Sequence, residues 1–133
     1  MARSVVAILA GFLAVVVLSL ATDQLLHVLQ VYPPWGEPMN DTGDNALALS
    51  YRIMYTLLGG FITARLAPRA PMRHVMILAL IGLAAGTAGA VFAITQDFGP
   101  NWYPIALAVT AYPCTWLGGR LGVRTPAAAT TPA

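Results

Sequence analysis

The chain contains no lysine, one cysteine and two histidines, and its 133 residues include only seven arginines and five acids. Each scarcity removes a class of function. At 9% charged residues the chain lies far below the roughly 25% usual in soluble domains, so water is not the solvent this composition suits. The formal charge of +2 suggests an acidic partner, but dispersed arginines without lysine make no basic stripe, which argues against nucleic acid. A lone Cys114 permits no intrachain disulfide and no Cys-pair metal site, and it reads as a small helix-packing residue. There is no Gly-rich phosphate loop, no His-Glu-x-x-His metal motif and no other metal or cofactor signature.

What the chain has instead is apolar length. Four segments, Val5 to Val31, Ala46 to Ala67, Val75 to Thr95 and Tyr103 to Val123, each reach the roughly 20 residues a helix needs to cross about 30 Å of hydrocarbon. The sequence thus predicts an all-α integral membrane protein with four spans over residues 1–124. The Thr, Pro and Ala tail from Thr125 to Ala133 is expected to be disordered. Segment one also has traits of a signal peptide, since Arg3 precedes an apolar run and Ser19-Leu20-Ala21 resembles a cleavage site. Apolar character resumes at Leu25, Leu26, Val28 and Leu29, which a spanning helix explains and a cleaved leader does not.

Arginine placement predicts orientation. Arg3, Arg65, Arg69, Arg73, Arg120 and Arg124 all fall at one end of the predicted spans, whereas Glu37, Asp41, Asp44 and Asp97 fall in the loops at the other. The positive-inside rule then puts both termini in the cytoplasm and the acidic loops outside. Tyr32, Trp35, Tyr51, Trp102 and Tyr103 are expected to form an aromatic belt at the outer boundary, with Trp116 deeper. Pro68 and Pro71 mark Leu66 to His74 as a tight turn, and Pro113 should kink the last helix. The outer segment Pro33 to Asp41 is rich in turn formers around Trp35 and reads as an ordered lid or belt anchor; its acids are too irregularly spaced for a cation site.

An internal repeat is visible. Thr56-x-Leu58-Gly59-Gly60-x-Ile62-x-x-Arg65 aligns with Thr115-x-Leu117-Gly118-Gly119-x-Leu121-x-x-Arg124, and segments one and three align through Leu9-x-Gly11-x-x-Ala14 and Leu80-x-Gly82-x-x-Ala85. Two parallel helical hairpins follow, related by an axis along the membrane normal. Gly59, Gly60, Gly82, Gly86, Gly118 and Gly119 are the expected helix-packing positions, because helices in lipid associate by close backbone approach.

The repeat breaks where the chemistry is. Opposite Asp23 and His27 the second hairpin has Ile94 and Phe98. Ser19, Asp23, His27 and Gln30 share one helical face, a polar stripe that should meet protein or water and not lipid. From Arg3 to Tyr32 a helix covers roughly 44 Å, which sets Asp23 in the outer third of the hydrocarbon, or at the interface if the helix enters at Val5. Arg52 is the obvious partner, and Tyr55 lies one turn further on. A cluster of Asp23, His27, Arg52 and Tyr55 is therefore the candidate site. Its bland reading is an ion pair locking a hairpin. His27 and His74 belong to opposite sides, so one chain cannot hold a bis-histidine haem.

Larger blocks of sequence carry a resemblance. Thr22-Asp23 with His27, Tyr32-Pro33-Pro34-Trp35-Gly36 with Pro38-Met39, and Tyr51-Arg52 belong to it, as do Ala64-Arg65-Leu66-Ala67-Pro68 and Pro71-Met72-Arg73-His74. Phe98-Gly99-Pro100-x-Trp102-Tyr103-Pro104-Ile105-Ala106-Leu107 and Leu117-Gly118-Gly119 complete the set. Over nearly its whole length the chain resembles a family of small, uncharacterised bacterial four-span membrane proteins. That resemblance implies the fold and a bacterial inner-membrane location, and it assigns no activity. In size and span count the chain is also similar to small multidrug transporters with one acid in helix one, an analogy of fold alone.

The reading that follows is a multi-pass membrane protein binding or translocating a small polar or cationic solute, with a homo-oligomer expected because four helices enclose little space. A scaffold or accessory subunit bound to a protein partner is the rival. An enzyme ranks third, since no nucleophile or metal set accompanies Asp23, His27 and Tyr55.

Overall fold

The computed structural model describes residues 1–123, and the predicted tail lies outside the described residues. Four helices, α1 (Ala2–Val28), α2 (Thr42–Leu66), α3 (Pro71–Thr95) and α4 (Trp102–Gly122), account for the architecture, with no strand among the described residues. α1, α2 and α3 are long and apolar enough to cross a membrane. α4 has 21 residues but does not meet the same measure of apolarity, because Tyr, Pro, Thr, Gly and Arg120 dilute its aliphatic content. Large apolar side chains stand exposed along the bundle, among them Leu9, Leu13, Val17, Leu80, Val91, Val109 and Leu121. A soluble monomer rarely tolerates so much contiguous apolar surface.

Helix ends depart from the expected boundaries for local reasons. α1 stops at Val28, because Gln30 adopts φ 60° and the Val31 and Gln30 amides turn back to the Leu26 and His27 carbonyls at 3.0 and 3.1 Å. That is a Schellman closure. Gln30 consequently leaves the polar stripe. α3 ends in the same way, with Asp97 at φ 55° and the Phe98 amide on Ala93. α2 begins at Thr42, earlier than expected, because Asp41 caps it by accepting the Asp44 amide at 3.0 Å. The turn between α2 and α3 is shorter than expected, with Pro71 already at the first helical position, and α4 runs unbroken through Pro113.

Packing depends on missing side chains. A Cβ on Gly60 would overlap the Thr115 carbonyl oxygen and lie 2.9 Å from the Gly119 amide, one on Gly118 would overlap the Leu57 carbonyl oxygen, and one on Gly122 would come within 2.6 Å of Phe61 O. Contacts that advance together along both chains mean that α2 and α4 run parallel, backbone on backbone, at the centre of the bundle. Gly59 lies against Gly11 and Val15 of α1, and Gly119 against Val75 of α3. On the flanks, α1 packs antiparallel on α2, where the Thr63 hydroxyl donates to Ala7 O at 3.0 Å. α3 packs antiparallel on α4 through Gly86 against Ala108. Gly82 differs from the other predicted contact glycines, because a Cβ there would meet Ala111 only at 3.9 Å, an ordinary contact. Among the described residues the backbones of α1 and α4 do not come within 8 Å of each other, Cα to Cα.

Gly118→Ala should therefore lower unfolding stability in detergent by about 1–3 kcal/mol or more, since a methyl forced into a backbone contact must move a helix. Gly82→Ala should be neutral or more stable by up to ~1 kcal/mol, the helix-propensity gain. Equal effects at the two positions would contradict this packing.

Candidate functional site

Asp23 is the deepest acid, 7% exposed on the buried face of α1. Its two oxygens are taken by different donors on α2. The Tyr51 hydroxyl donates to Oδ1 and the Arg52 Nη2 donates to Oδ2. With one carboxylate oxygen occupied by Tyr51, Arg52 forms a single contact instead of the bidentate fork common in arginine–carboxylate pairs. Arg52 Nε is buried with no partner among the described residues, and the side chain keeps 30% of its surface open. The guanidinium is thus held, but not saturated, and Tyr103 of α4 lies beside it.

The hydroxyls around this pair form an ordered chain. Tyr51 gives its proton to Asp23, so at the 3.1 Å contact between the two phenols Tyr32 is the donor. Tyr32 is 4% exposed, and burial pushes its phenol above the ordinary range. Tyr32, Tyr51 and Tyr103 accordingly turn inwards to the site and not outwards to a belt, whereas Trp35 and Trp102 remain exposed.

Of the four expected cluster residues, Asp23, His27 and Arg52 line one cavity, His27 without a bond to the other two, and Tyr55 lies outside it. Tyr55 is hydrogen-bonded to Thr22 Oγ1 at 2.7 Å, and since the Thr22 hydroxyl donates to Leu18 O, Tyr55 is the donor there. His27 turns upward, its Nδ1 2.6 Å from the Pro33 carbonyl, which can only accept, so that nitrogen carries the proton. The His27 ring stacks on Trp35 at 3.9 Å, and Trp35 Nε1 donates to Gln24 Oε1 at 3.0 Å. These contacts fold the segment after α1 back over the end of its own helix.

That segment is a lid. Asn45 Nδ2 donates to Met39 O and Asp41 O at 2.9 and 2.8 Å, and the Met39 amide donates to Phe98 O at 2.8 Å, joining the two acidic-end loops. Gly99, at φ 156°, is the one residue type that fits against Met39 O. Below the lid lies a cavity of about 520 Å³. Its polar wall carries Asp23, His27, Arg52, Asn45 and Tyr103; its other wall is α3, through Ala85, Gly86, Gly89, Ala90 and Ala93. The size is that of small-molecule sites, and a few convergent polar groups on an apolar lining are their usual chemistry. Among the described residues no group of His, Cys, Asp and Glu is arranged to hold a metal.

The sequence pointed to Asp23 and Arg52 but not to Tyr51, Tyr32, Asn45 or the small-residue wall. Tyr51 had a usable signal, because it precedes Arg52 on the helix facing Asp23. Asn45 had none, since its partners are loop carbonyls. No protein-family model matches the chain, and no curated protein or solved structure is significantly similar to it.

The geometry separates two groups of residues. Asp23→Asn and Arg52→Gln should each cost about 1–3 kcal/mol in detergent unfolding, with a coupling energy of about 1 kcal/mol or more in the double mutant. Tyr55→Phe should cost about 1 kcal/mol and add independently to Asp23→Asn. Coupling between Tyr55 and Asp23 as strong as that between Arg52 and Asp23 would restore a single four-residue cluster.

Proposed function

We propose that the chain is a four-span bundle of two parallel hairpins, with its arginine-bearing end and both termini cytoplasmic in a bacterial inner membrane, that binds a small polar solute in the cavity beneath its outer lid. The single observation that carries this reading is an arginine with one ion-pair contact, an unpartnered Nε and 30% of its side chain exposed, in the wall of a lidded cavity. A purely structural pair is better served by a bidentate fork with every donor satisfied. Gly60 and Gly119, equivalent in the repeat, lie side by side between α2 and α4, which supports a pseudo-two-fold axis there.

Of the solutes the sequence leaves open, one presenting a hydrogen-bond acceptor fits better than a cation. Both Asp23 oxygens already have donors, and its charge is balanced by Arg52. The free donors belong to the guanidinium. Translocation, as opposed to binding, would require the lid contacts of Asn45 and Met39 to open. A homo-oligomer would cover part of the exposed apolar surface and does not alter this site.

The test is thermal stability of the purified protein with acetate, phosphate, glycine and tetramethylammonium as probes. An acceptor-bearing probe should raise Tm in the wild type and not in Arg52→Gln, and tetramethylammonium should have no effect. Stabilisation by tetramethylammonium that vanishes in Asp23→Asn would replace the acceptor reading with the cationic one. No stabilisation by any probe, together with strong Asp23–Arg52 coupling, would leave a scaffold.

A further inference from the structure

The cavity has a side entrance. α1 and α3 meet near the arginine-bearing end, where the Leu78 side chain lies against Gly11 and both Ala7 and Val75 are fully buried. Towards the acidic end that packing is lost. The α3 residues Ala85 and Gly89 line the cavity and yet are exposed, and a Cβ on Gly89 would meet nothing within 4 Å. The α4 backbone does not close the gap from behind, since it stays more than 8 Å, Cα to Cα, from that of α1. The lid contacts cover the end of the cavity; among the described residues no hydrogen bond ties α1 to α3 along this flank, where Leu20 and Val91 present exposed apolar side chains.

Resting on the binding function proposed above, we infer that the occupant is a membrane phospholipid with a zwitterionic head, admitted sideways between α1 and α3, its head on the Arg52 wall and its chains left in the bilayer. Three observations select this chemistry. The side opening admits a molecule that is already in the membrane, without breaking the lid. The α3 side of the entrance offers small apolar residues, a surface for methylene groups and not for a hydrated solute. The charges of the chamber are mixed. Arg52 offers donors to a phosphate, while Glu37 at the lid is a carboxylate suited to an ammonium. A plain anionic head would bring an uncompensated negative charge towards both Asp23 and Glu37. A head carrying phosphate and amine together satisfies both ends.

Native mass spectrometry of the full chain, released from nanodiscs containing equal phosphatidylethanolamine and phosphatidylglycerol, tests the inference. The expected result is one phosphatidylethanolamine per chain, retained at least tenfold over phosphatidylglycerol, and lost at least tenfold in Gly89→Phe and in Arg52→Gln. Gly89→Phe fills the entrance from a position where an added Cβ meets nothing within 4 Å, and an unliganded Tm matching the wild type would show that the loss is not unfolding. Equal retention of both lipids, or undiminished retention in Gly89→Phe, overturns the inference. Soluble glycerophosphoethanolamine separates it from the reading it rests on. If the free head raises Tm in an Arg52-dependent way while no lipid is retained, the cavity binds solutes and the side entrance is unused. If neither binds, both readings fall. A dimer that forms through this face and excludes lipid also overturns the inference.

Discussion

The arrangement depends on the close approach of α2 and α4. Helices in lipid gain nothing from expelling water between them, so their association rests on contact area, and contact area on how near the backbones come. Gly60 and Gly118 bring two carbonyl oxygens to where side chains would otherwise stand, which makes α2 and α4 the axis of the bundle. α1 and α3 are then flanking helices, each fastened to one member of the central pair. Nothing obliges the flanking helices to pack on each other over their full length, and the close contact of Gly11 with Leu78 lies towards the arginine-bearing end. The cavity is the space left where they part. A site whose void follows from backbone packing elsewhere needs no large side chains to shape it, and its α3 wall is accordingly alanine and glycine.

Within that frame Asp23 has a consequence out of proportion to its size. A carboxylate this buried must be compensated, and compensation comes from two neighbours in sequence, Tyr51 and Arg52, that approach it from one helix. Because adjacent residues on a helix point about 100° apart, they cannot both meet the same oxygen, and each takes its own. This division keeps the guanidinium from forming a fork. One helix thus fixes the charge and leaves donors over, a combination that a better-matched pair would not have.

Much of this was legible in the sequence, and the losses have identifiable causes. Segment positions followed from hydrophobic length, and the Asp23–Arg52 pairing from the cost of an isolated charge at compatible depth. Gly59, Gly60, Gly118 and Gly119 stood out as contact residues because they repeat. Gly82 also faces α4, but at the distance of an ordinary contact with Ala111, because small-residue spacing does not say how closely a neighbour approaches. The sequence places α1 three residues too far along the chain, since Leu29 to Val31 remain mostly apolar while the backbone reverses at Gln30, a residue with no β-branch to resist φ above zero. The tyrosines were read as belt residues because a phenol suits both a membrane interface and a buried carboxylate. Deciding between them requires the helix rotation that only tertiary packing supplies.

The asymmetry of the two hairpins bears on function more directly than any single contact. Under the proposed repeat, the positions matching Asp23 and His27 are Ile94 and Phe98, and Phe98 lines the same cavity. Two polar copies would have produced two opposed carboxylates, and two apolar copies a dry void. One of each gives a chamber with a charged wall on α1 and α2 and a hydrocarbon-like wall on α3. Under the proposed binding function such a chamber would discriminate by amphipathicity: a hydrated ion would lose solvation against the alanines, and an alkane would offer Arg52 no acceptor beyond Asp23. Both penalties fall away only for a molecule with a polar end and an apolar end.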